Sequence, residues 1–230
     1  MTWFRSRNGK MRRFAVIGAG TFGSAVAETL SEGRNVVIVI DTAPEKVQAL
    51  QGLASQAVQA DATDLETLTA LGVNEVDCAI VSLGEKIDLS ILVTLHLKEM
   101  GVPEIVVKAT TPEHGKILRL IGATEVVFPE KQMAQRVARR LSAPHVYDQI
   151  PLAEDLSALE VIAPPKLVGK TLKDLRLRDQ YHVNLIAVRE PNGKGEMRTI
   201  IPKAEFQIRP GHILVVVGMD SDIEHFKSIK

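Results

Sequence analysis

One cysteine, Cys78, is all the thiol this chain of 230 residues carries. An internal disulfide is therefore excluded, and no Cys-x-x-Cys pair exists to hold zinc. Cys78 opens an apolar stretch running to Val81 and reads as a small packed hydrophobe, which implies a reducing compartment. Aromatic residues are scarce at 4 %, and net charge is absent, with 28 Lys and Arg against 28 Asp and Glu. Without a surplus of positive charge, no global field draws the chain to nucleic acid or to an anionic membrane. No apolar run nears the roughly eighteen residues of a membrane span, and the N-terminus lacks a hydrophobic signal core, so the expectation is a cytoplasmic protein. What is present is 45 % hydrophobic residues, enough for a real core in one large or two small domains.

The most informative stretch runs from Phe14 to Gly23, Phe-Ala-Val-Ile-Gly-Ala-Gly-Thr-Phe-Gly. An apolar strand leads into glycines at 18, 20 and 23 with G-x-G-x-x-G spacing, and an alanine-rich helical pattern follows. Gly18 permits the tight turn, Gly20 lets the backbone approach a phosphate, and Gly23 lets helix and strand pack closely. The helix N-terminus offers free N–H groups and partial positive charge to an anion. A second apolar strand, Val36 to Ile40, ends at Asp41, eighteen residues beyond Gly23, where an acid accepts hydrogen bonds from ribose hydroxyls. Thr42 is uncharged and no arginine sits in the following turn, which disfavours a 2′-phosphate and hence NADP.

Strand and helix patterns then alternate as far as about residue 141. Thr42-Ala43-Pro44-Glu45 opens a helix, Ala57-Val58 is a short strand, and Thr63 or Asp64 caps a helix running to Leu71. Cys78 to Leu83 is a strand, Ile87 to Met100 a long helix, Ile105 to Lys108 a strand, Thr111-Pro112 a helix start, and Glu125 to Phe128 a strand. This repetition predicts a Rossmann-like doubly wound parallel sheet. The long helix is apolar on two sides, with Ile87, Ile91 and Leu95 on one and Leu89, Val93, Leu97 and Met100 on another, which predicts a subunit interface. Glu130 to Leu141 forms a terminal amphipathic helix able to cross to a neighbouring subunit. Beyond Ser142 the pattern turns strand-rich, with helical segments only at Thr171 to Leu177 and Ser221 to Ile229. Ser221 and Glu224 have capping-box spacing. Val183 to Arg189 and Met197 to Ile201, joined through the turn Pro191 to Gly195, read as a hairpin, and His212 to Val217 as a further strand. A small α+β domain of about 80 residues follows from this.

Catalytic parts are missing. The Tyr-x-x-x-Lys pair of short-chain dehydrogenases fails at both tyrosines, since Pro151 and Leu185 stand four residues after Tyr147 and Tyr181. Gly169-Lys170-Thr171 looks like the end of a P-loop, but Pro164 occupies the position of its first glycine. Neither a nucleophile elbow nor a His-Glu-x-x-His zinc motif is present, and the six histidines are scattered. Lys108 stands out, because it ends a parallel strand on the side where such sheets bind ligands.

These residues resemble the RCK family, the cytoplasmic regulatory subunits and domains of Ktr and Trk potassium transporters and of several potassium channels. The resemblance runs from Phe14 to about Phe226. Its carriers are the glycine stretch, Asp61-Ala-Thr-Asp64, Gly122-Ala-Thr124 through Pro129-Glu-Lys131, Leu167-Val-Gly-Lys-Thr-Leu172, Asp174-Leu175, Asn184-Leu-Ile-Ala-Val188 and Gly211-His-Ile-Leu-Val215. It implies residues 1–13 as a basic leader, 14–129 as a Rossmann-like RCK-N domain, 130–145 as a crossover helix and linker, and 146–230 as a small α+β RCK-C domain. Arg5, Arg7, Lys10, Arg12 and Arg13 make the leader basic beside Trp3 and Phe4, which reads as a frayed end or as a contact with headgroups or a membrane-bound partner.

The function implied is a regulatory subunit and not an enzyme. It would bind an adenine nucleotide (ATP, ADP, AMP, NAD or NADH), assemble from dimers into an octameric ring, and dock peripherally beneath a membrane potassium-translocating subunit of the KtrB or TrkH type. On matching positions Gly18, Gly20, Thr21, Phe22 and Gly23 would face phosphates and Asp41 the ribose. Asp61, Ala62 and Thr63 would border adenine, Gly84 would close the pocket, Lys108 would approach phosphate, and Glu130 would reach across the dimer toward a nucleotide-associated divalent cation. Arg178, Asn184 and Pro202 stand near positions where related proteins bind cyclic di-AMP; packing and solvation are their other reading. Ktr subunits that sense ATP commonly carry arginine where this chain has Thr21, so discrimination of a γ-phosphate would fall more heavily on Lys108. The alternative is an NAD-dependent oxidoreductase whose substrate groups come from a neighbouring subunit.

Overall fold

The computed structural model describes residues 11–84, 86–143, 145–192 and 196–229, in two compact units, Met1–Glu130 and Lys131–Lys230. The leader through Lys10, Pro144 and the turn residues 193–195 lie outside the described residues.

The first unit is built on six parallel strands, β1 (Arg13–Ile17), β2 (Val36–Asp41), β3 (Gln56–Gln59), β4 (Cys78–Val81), β5 (Glu104–Lys108) and β6 (Glu125–Val127), in the order β3-β2-β1-β4-β5-β6. Successive side chains of a strand face opposite sides, so one apolar run serves two cores. Ala15 and Ile17 join Ile38, Ile40, Ala79 and Val81 on one face, while Phe14 and Val16 join Val37, Val39 and Ile80 on the other. Helices α1 (Thr21–Glu32) and α2 (Pro44–Leu50) cover the second face through Ala27 and Leu50. Helices α3 (Leu65–Ala70), α4 (Ile87–Glu99) and α5 (Pro112–Leu120) cover the first through Leu68, Val93, Leu97 and Leu118. Strand order reverses between β1 and β4, opening a crevice beyond their carboxyl ends.

The helix starts follow local chemistry. Asp64 caps α3 by accepting the N–H groups of Glu66 and Thr67, and Thr111 caps α5 by accepting that of His114 with Pro112 in the first turn. On α4 the stripe against the sheet is Ser90, Val93, Thr94 and Leu97; of the expected second stripe Ile87 and Leu95 are exposed, with Leu92 beside them, whereas Ile91 packs against the core. Leu89 does not share that stripe but turns toward the crevice. Helix α6 (Pro129–Ser142) buries none of its residues, and Met133, Val137 and Leu141 are exposed.

The second unit carries an antiparallel sheet of β7 (Val146–Pro151), β8 (Leu156–Ile162), β9 (Asn184–Pro191), β10 (Met197–Ile200) and β11 (Ile213–Met219), ordered β10-β9-β11-β8-β7. The expected hairpin is β9 paired with β10. Two expectations fail. The segment Thr171 to Leu177 is two short helices, α7 (Leu172–Leu175) and α8 (Leu177–Tyr181), broken where Arg176 adopts φ 40° and ψ 49°. The Ser221–Glu224 capping box does not form, because α9 (Asp220–Lys227) starts one residue earlier. Asp220 is anchored to β8 and the turn before it, accepting from Ser157 Oγ and donating its N–H to Asp155 O, while Glu224 pairs with Lys227. Phe226 of α9 is fully buried and meets Tyr181 edge to face at 5.7 Å.

Candidate functional site

A cavity of about 320 Å³ occupies the crevice at the carboxyl ends of β1, β2, β3 and β4. That is room for a small-molecule ligand. Its floor is the glycine turn. Gly18 has φ 95°, and a Cβ there would lie 2.3 Å from the Ser82 carbonyl oxygen. A Cβ on Gly23 would lie 1.9 Å from the Gly18 oxygen, so this glycine serves helix packing. A Cβ on Gly20 would meet nothing within 4 Å, which leaves the space in front of it for a ligand. Gly20 is also the N-cap of α1, with no side-chain cap and no acidic residue in the first turn. A twelve-residue helix therefore presents free N–H groups and positive partial charge beside the cavity.

Asp41 ends β2 with its side chain 9 % exposed. Oδ2 accepts the Ala19 N–H at 2.7 Å and Oδ1 the Ala43 N–H at 2.9 Å, so the carboxylate is fixed between two loops and keeps lone pairs toward the cavity. Across the cavity, Asp61 Oδ1 accepts the Thr63 N–H at 2.9 Å and the Thr63 hydroxyl at 2.7 Å. Thr63, aided by nearby Lys86, holds the Asp61 carboxyl below the usual carboxylate range. Ala62 is buried beside them, and Ser82, Leu83 and Gly84 close the side after β4.

Of the residues singled out from the sequence, Gly18, Gly20, Asp41, Asp61, Ala62, Thr63 and Gly84 line this cavity. Thr21, Phe22 and Gly23 stand in the first turn of α1 without lining it, and neither Lys108 nor Glu130 lines it. The Lys108 ammonium is instead ion-paired with Glu130, whose carboxyl this contact holds low. Among the described residues no group of three His, Cys, Asp or Glu is placed to hold a metal ion. Arg178 lies on α8, Asn184 opens β9, and Pro202 follows β10; none lines the cavity found in the second unit.

Sequence reasoning missed Lys46 and Lys86, the cations among the described residues of the cavity, and its apolar wall of Leu89 and Val93. Lys46 sits in the first turn of α2, five residues after Asp41, and Lys86 two after Gly84; their closeness to a ribose acid and a closing glycine was the available signal. The arrangement offers anion-binding N–H groups, two fixed carboxylates, two cations and an apolar wall. Among the described residues no histidine, cysteine or tyrosine lines it. Such a set has the chemistry to accept a phosphorylated ribonucleoside.

Comparison with known proteins agrees with the two-unit fold. The TrkA-N domain model matches residues 14–129 and the TrkA-C domain model residues 156–230. The chain is 40 % identical over 216 residues to Ktr system potassium uptake protein C of Bacillus subtilis, covering 94 % of this chain and 96 % of the relative. Ktr system potassium uptake protein A of the same organism is 36 % identical over 219 residues, 95 % and 97 % of the two chains. The protein A of Vibrio alginolyticus is 33 % identical over 207 residues, 90 % and 92 %. Among solved structures, the GsuK RCK domain superposes with TM-score 0.65 at 20 % identity, over 97 % of this chain and 48 % of that one. The GsuK channel bound to NAD gives 0.63 at 20 %, over 97 % and 40 %. This chain spans less than half of either solved chain, and the likeness to them is one of fold.

Proposed function

This chain belongs to the Ktr potassium uptake family, with a TrkA-N and a TrkA-C domain in tandem, and on that footing we propose that it is the nucleotide-binding regulatory subunit of a potassium uptake system. The observation that carries the reading is the uncapped N-terminus of α1 at Gly20 sharing one cavity with the anchored carboxylate of Asp41. Phosphate meets the helix N-terminus, ribose meets Asp41, and adenine lies against Ala62 between Asp61 and the wall of Leu89 and Val93. Lys108 and Glu130, paired with each other, are the groups that a terminal phosphate and its cation would engage. That the GsuK channel, which shares the fold, binds NAD supports an adenine nucleotide here.

The partner is a membrane potassium-translocating subunit, and no helix among the described residues is long and apolar enough to cross a membrane by itself. The subunit works on the cytoplasmic face as a homo-oligomeric ring. The open faces of α4 and α6 support its contacts between copies, α6 acting as the crossover helix. Exchange of ligand moves the pore only through unequal affinity for two ring states. The second unit, with Arg178, Asn184 and Pro202, is the seat of any cyclic di-AMP response. The likeness to Ktr potassium uptake proteins over nearly the full chain supports a sensor in preference to an enzyme.

Potassium uptake by vesicles holding the translocating subunit tests this. Flux is expected to depend on the added chain and on which nucleotide it carries, and Asp41→Ala is expected to abolish the nucleotide response. Flux indifferent to the chain, or turnover of NADH without a partner, would overturn it.

A further inference from the structure

The ribose end of the cavity holds a residue that nothing so far accounts for. Lys46 lines the cavity, and its Nζ stands 3.8 Å from Asp41 Oδ2. That separation is too long for a hydrogen bond, yet it lets both groups reach a single atom placed beside them. Among the described residues the Lys46 ammonium has no hydrogen-bond partner, so its three donors are free. Asp41, by contrast, is immobilised through Ala19 and Ala43 and cannot swing out to close on the lysine. An acceptor fixed by the backbone thus stands at ion-pair distance from a cation that makes no hydrogen bond among the described residues, and one oxygen placed beside the two can reach both.

A ribose hydroxyl has the matching chemistry, since its proton is given to a carboxylate while its oxygen accepts from an ammonium. We propose that Lys46 is a specificity-determining residue of the nucleotide site, donating to the ribose oxygen whose hydroxyl Asp41 accepts. The pair thereby selects ribonucleotides with free hydroxyls over their deoxy counterparts. This rests on the reading that the cavity binds an adenine nucleotide. A ligand lacking both hydroxyls leaves Asp41 and Lys46 without the bridging atom and forfeits both contacts, whereas a cation acting only by long-range attraction to phosphate would not distinguish the two sugars.

Calorimetric titration of the full chain with ADP and with 2′,3′-dideoxy-ADP separates these cases. Wild type is expected to bind ADP roughly tenfold or more tightly than the dideoxy analogue. Lys46→Met, at a half-exposed position, is expected to lose about five- to tenfold for ADP and nothing for the analogue, with Lys46→Arg restoring most of the loss. An equal loss for both ligands, or none for either, would overturn the role of Lys46 while leaving nucleotide binding in place. Failure of wild type to bind ADP, ATP, NAD or NADH would instead overturn the reading on which it rests.

Discussion

The carboxylate of Asp41 accepts the backbone N–H of Ala19 at 2.7 Å, tying the end of β2 to the glycine turn that follows β1. Because the other oxygen accepts from Ala43, one side chain shapes the floor and one wall of the cavity. Asp41→Ala leaves two backbone N–H groups without their acceptor. The expected result is a loss of about 1–3 kcal/mol in stability by chemical denaturation together with loss of nucleotide affinity. Asp41→Asn keeps one acceptor and is expected to fall between.

The three glycines of the turn separate folding from binding. Gly20→Ala points its methyl into open space, so its thermal midpoint is expected to stay near wild type while affinity for ADP falls at least tenfold. Gly23→Ala drives a methyl to 1.9 Å from the Gly18 oxygen and is expected to cost about 3 kcal/mol whether or not nucleotide is present. Melting curves with and without ADP distinguish the two.

Release of Lys108 from Glu130 is expected to strengthen binding. With a chelator present to remove divalent cations, Glu130→Gln frees the lysine and should raise affinity for ATP about threefold, since the pair is exposed on the acid's side. Lys108→Ala is expected to lower it. The two variants are compared by titration at fixed ionic strength.

Acid is expected to destabilise the fold in two stages. His114 and His212 are buried, and burial pushes their ring pKa values down, so folding favours the neutral form of each. As pH falls through the ordinary histidine range, near 6.5, the unfolded chain takes up protons that the folded chain refuses, and stability drops. The carboxyls of Asp61, Glu130 and Asp148 are shifted down by Thr63, Lys108 and Arg136 respectively. Their contribution is complete above the ordinary carboxylate range, near 4, and is lost as pH falls through that range toward the depressed folded values. Thermal midpoints from pH 8 to 3 follow both stages, and His114→Asn should flatten the first.

The parallel sheet was legible because its signals are local. Buried strands such as Val36 to Ile40 are continuous apolar runs, and Asp64, Thr111 and Pro112 mark helix starts by chemistry within one turn. The break at Arg176 was not legible, since a left-handed residue without glycine leaves no compositional mark. Nor was the start of α9, where Asp220 is held by Ser157, 63 residues away. The glycine turn, Asp41 and the Asp61–Thr63 turn meet in the cavity because strand ends in this topology converge. Lys46 and Lys86 escaped notice because a lysine on a polar helix turn is ordinary in sequence, and only the fold brings these two to one cavity. Lys108 does end its strand as read, but its ammonium goes to Glu130, a contact that spacing does not reveal.

Equilibrium titration of the full chain with ATP, ADP, NADH and NAD, run beside Gly20→Ala and Asp41→Ala, bears most directly on the central claim that the crevice is a nucleotide sensor. Saturable one-to-one binding of at least one of the four by wild type, weakened at least tenfold in both variants, is the predicted result. No binding by wild type, or binding that both variants leave untouched, would contradict it.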